Sequence, residues 1–161
     1  MSEFKNIMVA LAFSKHAKDI FGYGVKLATD LDADLTVASI INSRDVEAVE
    51  TIVSMGYKVD GEHYVESIEK ERREILEKII GETSFPRERI NIILQVGNPI
   101  DELLKIISEK NIDMVIMGSK GRTDLRHVLI GSVAEKMFRR SPVTVVSYRD
   151  ESYAGGLERL L

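Results

Sequence analysis

Apolar residues along this chain fall into two alternating patterns. Short unbroken runs are separated by longer stretches in which apolar residues recur every three or four positions. Ile7-Met8-Val9-Ala10-Leu11-Ala12 is the first run. It is short and lacks polar alternation, which suits a strand buried on both faces of a parallel sheet. Ser14 follows as a helix cap, and Ala17, Ile20, Phe21, Gly24, Val25, Ala28 and Leu31 then repeat at helical spacing on one face. Gly22 and Gly24 lower the helix propensity of this segment and are read as allowing close packing on the sheet. Leu35 to Ile41 reads as a second strand. From Asn42 to Asp60 the pattern weakens. Val46, Val49 and Val53 predict a short helix broken at Gly56, an insertion over the strand ends. Tyr64, Val65, Ile68, Ile75, Leu76, Ile79 and Ile80 mark a long amphipathic helix stopped by Gly81, with Glu69 to Arg73 as its solvated face. Ile90 to Val96 is a third strand. Asn98 and Pro99 then start a helix as cap and first residue, and Ile100, Leu103, Leu104 and Ile107 form its buried stripe. Met114 to Met117 is a fourth strand, a helix ends near Arg139-Arg140, and Val143 to Ser147 is a fifth strand. Five strands alternating with four principal helices predict an α/β fold, a doubly wound five-stranded parallel sheet with helices on both faces.

Composition removes several classes of function. The chain has 161 residues, the length of one domain. No cysteine is present, so thiolate chemistry and disulfides are excluded and a zinc site lacks its best ligands. The net charge of −4 gives no electrostatic case for nucleic acid or an anionic membrane surface. No apolar run approaches the roughly 20 residues that span a bilayer. The first residues, Met1 to Asn6, lack a signal-peptide pattern, and the expected location is the cytoplasm.

The chemistry concentrates in Gly118 to Ser132, which reads GSKGRTDLRHVLIGS. A buried strand runs into a glycine-containing loop, and the loop runs into a helix start. In open α/β folds that arrangement holds phosphate. The spacing is G-x2-G-x9-G-[ST], with Gly118, Gly121, Gly131 and Ser132 at its fixed positions. It is neither a Walker A loop nor the dinucleotide fingerprint. Ser132 and Glu135 fit a capping box, which predicts unpaired amides at Gly131, Ser132 and Val133.

This pattern, with Asp113 to Met117 before it and Val133-Ala134-Glu135 and Ser141-Pro142-Val143 after it, resembles the ATP-binding signature of the universal stress protein family. The resemblance covers Lys5 to about Tyr148, and the chain divides at that point into a nucleotide-binding domain, 1–148, and a tail, 149–161. It implies strand order 3-2-1-4-5, with a ligand crevice at the switch point between the first and fourth strands. The expected ligand is ATP, ADP or AMP, with or without Mg²⁺. The expected contacts are Ala10, Ala12, Phe13, Ile40, Gly118, Lys120, Gly121, Gly131, Ser132 and Val133. In the family an Asp typically stands near the end of the first strand, and Ala12 replaces it here. Phe13 has two readings, a base-stacking ring or pocket wall. Lys120 would complement phosphate charge, whereas Arg122, Arg126 and His127 read as surface residues. The fifth strand, Val143 to Ser147, is expected to pair with its two-fold copy in a homodimer. In the tail, Leu157, Leu160 and Leu161 are either an apolar hook or unstructured.

Other readings compete. A phosphoacceptor domain of similar pattern needs acidic residues after the first strand and an Asp after the third. Ala12-Phe13-Ser14 and Gly97-Asn98-Pro99 stand there instead. A dimeric interaction module with a degenerate nucleotide site remains as the rival reading, because of Ala12. No catalytic base for water is evident, so a non-enzymatic role is expected.

Overall fold

The computed structural model describes residues 4–57, 63–119 and 131–149. Its centre is a pair of strands far apart in sequence, β1 (Asn6–Ala10) and β4 (Met114–Gly118). They run parallel, with Ile7 opposite Met114 and Ala10 opposite Met117. Asp113 sets this register at the strand start. Its carboxylate accepts from the amides of Lys5 at 2.8 Å and Asn6 at 2.9 Å, and its own amide donates to the Asn6 carbonyl at 2.8 Å. Both strands are almost wholly buried, as their unbroken apolar sequences require.

β2 (Asp34–Asn42) and β3 (Ile90–Gly97) lie outside β1, and β5 (Thr144–Tyr148) lies outside β4. All pairs are parallel and the order is β3-β2-β1-β4-β5, as expected. Helices α1 (Ala17–Leu31) and α3 (Tyr64–Gly81) cover one face with a core that includes Ile7, Val9, Phe21, Val37 and Leu76. Helices α4 (Pro99–Glu109) and α5 (Ser132–Arg140) cover the other, around Met8, Ala38, Leu103, Val115 and Met137. The weakly patterned stretch after β2 is a fifth helix, α2 (Ser43–Ser54), with no buried residue. Asn42 caps it by accepting from the Arg44 amide at 3.0 Å, and Gly56 beyond it has φ +88°, a left-handed value that favours glycine. One 3₁₀ turn, Arg87–Arg89, leads into β3.

Local capping differs from expectation at α1 and agrees with it at α4. Ser14 does not cap α1. The helix begins at Ala17, after His16, and the Ser14 hydroxyl accepts from the His16 amide at 3.3 Å in a turn before it. Asn98 does cap α4, accepting from the Asp101 amide at 3.2 Å, with Pro99 at the first position. Ile75, placed by sequence in the buried stripe of α3, is exposed.

The two glycines of α1 differ. A Cβ on Gly24 would collide with Val9 Cγ2 in the central strand, so α1 sits on the sheet because this position has no side chain. Gly22 has nothing within 4 Å of such a Cβ and serves no packing purpose. Gly24→Ala should therefore destabilise the protein by about 1–3 kcal/mol through overpacking. Gly22→Ala should stabilise it by about 0.5–1 kcal/mol through helix propensity. Urea denaturation of both variants checks the opposite signs.

Candidate functional site

At the switch point the chain leaves β1 toward α1 on one face and β4 toward α5 on the other. A cavity of about 790 Å³ opens between these departures. Its volume is in the range that holds drug-sized ligands. One side is formed by Ala10, Leu11 and Ala12 after β1, and by Ala38 and Ile40 on β2. The other is formed by Met117 and Gly118 on β4 and by Gly131, Ser132, Val133 and Ala134 at the start of α5. Of the expected contacts, Ala10, Ala12, Ile40, Gly118, Gly131, Ser132 and Val133 thus come together. Lys120 and Gly121, with Arg122, Arg126 and His127, lie outside the described residues.

The helix start at this cavity departs from the capping-box expectation. Gly131 is the cap, with φ −72° and ψ 160°, and Ser132 is the first helical residue. The first rung of the ladder runs from the Glu135 amide to the Gly131 carbonyl at 3.0 Å. The amides of Ser132, Val133 and Ala134 therefore precede the ladder, as the first turn of any helix requires. The Glu135 carboxylate bonds Arg139 at 2.8 Å, one turn along. The Gly131 amide, expected as a donor to ligand, donates instead to the Ser119 carbonyl at 2.6 Å. That bond ties together the two ends of the glycine-containing loop. The donor set thus moves one residue forward, to Ser132, Val133 and Ala134, with the helix dipole behind it.

Phe13 departs as well. Its φ is +55°, unusual for a residue with a large side chain. It does not line the main cavity. It lines a smaller one of about 160 Å³, with Ile41, Asp45, Tyr64, Ile68 and Arg72 among its neighbours. The pocket-wall reading is the one the structure supports.

Sequence reasoning placed Arg72 on the solvated face of α3, and this is overturned. Arg72 is 8% exposed. Its guanidinium donates through one nitrogen to the Ser39 hydroxyl at 2.8 Å and to the Ile40 carbonyl at 3.3 Å. The guanidinium carbon lies 5.3 Å from the centre of the Phe13 ring. Arg72 lines both cavities. The signal was available: Arg72 is four residues after Ile68 and four before Leu76, on the inward stripe. Asn42, Asp45 and Tyr64 join it at the β2 end of the main cavity and were also missed. They come from the stretch around α2, whose position periodicity does not give. Among the described residues no group of three His, Asp or Glu side chains could hold a metal.

A sequence model described as the universal stress protein family matches residues 3–149. The chain belongs to the universal stress protein family. Universal stress protein MJ0577 of Methanocaldococcus jannaschii is 27% identical over 160 residues, covering 91% of this chain and 97% of that one. The solved structure of MJ0577, described as a hypothetical protein, superposes with a TM-score of 0.75 at 24% identity, over 92% of this chain and 98% of the other. A universal stress protein solved in complex with cAMP superposes with a TM-score of 0.59 at 24% identity, over 92% and 99% of the two chains. These likenesses give this universal stress protein domain its fold. Among the described residues no helix is long and apolar enough to cross a membrane.

The capping geometry makes a prediction about stability alone. Ser132→Ala removes no cap and should change stability by less than about 0.5 kcal/mol. Asn98→Ala removes one and should cost about 0.5–2 kcal/mol. Chemical denaturation of the two variants should separate them.

Proposed function

We propose that this universal stress protein binds an adenine nucleotide, ATP, ADP or AMP, in the switch-point cavity and acts as a non-catalytic regulatory protein. The observation that carries the reading is the convergence of Gly118 with the first turn of α5 on a cavity of about 790 Å³. The amides of Ser132, Val133 and Ala134 precede the helical ladder there, and the Ser132 hydroxyl lies beside them. Such a first turn favours phosphate. Ala38 and Ile40 supply apolar walls at the far side for a base. The phosphates run from Gly118 toward Ser132. The relative solved with cAMP holds an adenine nucleotide, which supports the ligand class.

Gly131 is needed for space rather than conformation, because its φ of −72° suits any residue. We expect a side chain there to take up room that the ligand needs, because Gly131 lines the cavity. Ala12 puts a methyl group where the family resemblance expects a carboxylate. Mg²⁺ enters this reading only as a counter-ion carried by the phosphates. We expect the site to hold a ground state without turnover, since no base placed to activate water is evident among the described residues.

Calorimetry with ATP tests the reading. Wild-type protein freed of bound nucleotide should bind. Ser132→Ala should weaken binding about 10- to 150-fold, the cost of a hydrogen bond to a charged group. Gly131→Val should weaken it more. Absence of binding at millimolar ATP would refute the reading and leave the dimeric interaction module, the alternative that Ala12 favours.

The assembly belongs to the same proposal. β5 is a sheet edge of half-buried valines, with no lysine or proline within it to block pairing. We expect it to pair with its copy in a homodimer around Val143, Val145 and their neighbours. Light scattering at micromolar concentration should give twice the chain mass of 18.1 kDa. Val145→Pro should shift the protein toward monomer by removing a backbone donor. A wild-type monomer would refute the assembly.

A further inference from the structure

Arg72 has no place in the reading above. Burying a guanidinium is costly, and it cannot discharge. Two of its hydrogen bonds go to the Ser39 hydroxyl and the Ile40 carbonyl, near the end of β2. Those bonds restrain a planar group that is otherwise flexible. Phe13 lies on it at 5.3 Å, close enough for a cation–π contact. Phe13 lines only the smaller cavity, and Arg72 lines both, so Arg72 forms part of the partition between them. Arg72 thus stands between the Phe13 ring and the main cavity.

The position of Arg72 decides which part of a ligand it meets. Two strand spacings separate β2 from β4, on the order of 10 Å. Phosphates held at the first turn of α5 lie at the other end. What reaches Arg72 is the base. Guanidinium planes are a common stacking surface for bases, because their weakly hydrated faces tolerate loss of water.

We infer that Arg72 is the base-stacking platform of this cavity, with its guanidinium held between the Phe13 ring and the purine ring of the ligand. The inference rests on the nucleotide reading and extends it to a side chain outside the glycine motif. Asp45 lines both cavities at the same end. Phe13, with its left-handed φ of +55°, places its ring against the guanidinium and not in the main cavity.

Two measurements test the platform. In wild-type protein labelled with ¹⁵N, adding adenosine should move the Arg72 Nε–H resonance upfield, by the ring current of a stacked purine. In calorimetry, Arg72→Lys keeps the charge and loses the plane. It should weaken adenosine and ATP by the same factor, about 5- to 150-fold, the range for loss of one base stack. The loss should not change with salt, and circular dichroism should show the variant folded. If wild-type protein binds ATP but the Arg72 resonance does not shift, the platform is wrong while the nucleotide reading stands. A loss confined to ATP that shrinks as salt rises also overturns it, in favour of a phosphate contact. If wild-type protein binds neither adenosine nor ATP, both readings fall.

Discussion

The pairing of β1 with β4 is the constraint on which the rest of the molecule depends. More than a hundred residues separate these strands, yet they are adjacent at the centre of the sheet. Apart from Asn6 at the start of β1 neither has a polar position, so both must be covered above and below. The chain meets this by sending α1 and α3 to one face and α4 and α5 to the other. Where the two departures diverge, backbone is left uncovered at the ends of the strands. The cavity is a consequence of topology before it is a consequence of any side chain. The Asp113 carboxylate, bound to two amides of the β1 start, anchors the opposite end of the same pair.

The cavity has two chemically different ends. At β4 and α5 the groups are backbone: amides before the helical ladder, a tied loop and a glycine that leaves room. At β2 the groups are side chains from α2 and α3, with Arg72 at their centre. Backbone at one end suits a ligand part that is the same in every nucleotide. Side chains at the other suit the part that differs between nucleotides. In the proposed nucleotide reading this division gives the glycine motif to phosphate and α2 and α3 to selection.

Much of the fold was legible because its signals are local. Short apolar-rich runs identified all five strands, and the periodicity of Ala17, Ile20, Phe21 and Ala28 identified the inner face of α1. Asn98-Pro99 located the start of α4 to the residue, since a side-chain cap and a ring-fixed φ act within one turn. Ser132 was placed one residue too early on its helix, and Ser14 was given a cap it does not make. Ser and Thr hydroxyls bond equally well in turns, and only the neighbouring backbone selects which. Arg72 was the larger error. A charged residue in a charged run reads as solvated, and nothing in the sequence shows that Ser39, Ile40 and Phe13 wait for it 32 or more positions away.

By itself the sequence determined the class of fold, the number of strands, and Gly118, Gly131, Ser132 and Val133 on the β4 side of the cavity. These follow from spacing within a few turns of chain, where propensity and periodicity act. Only the tertiary structure decided that Phe13 turns away from the cavity, that the Gly131 amide closes the loop on Ser119, and that α2 and Arg72 complete the other wall. Each of those is a contact between elements distant in sequence. The free energy of such a contact depends on where the partner is held, and the partner is held only once the sheet has formed.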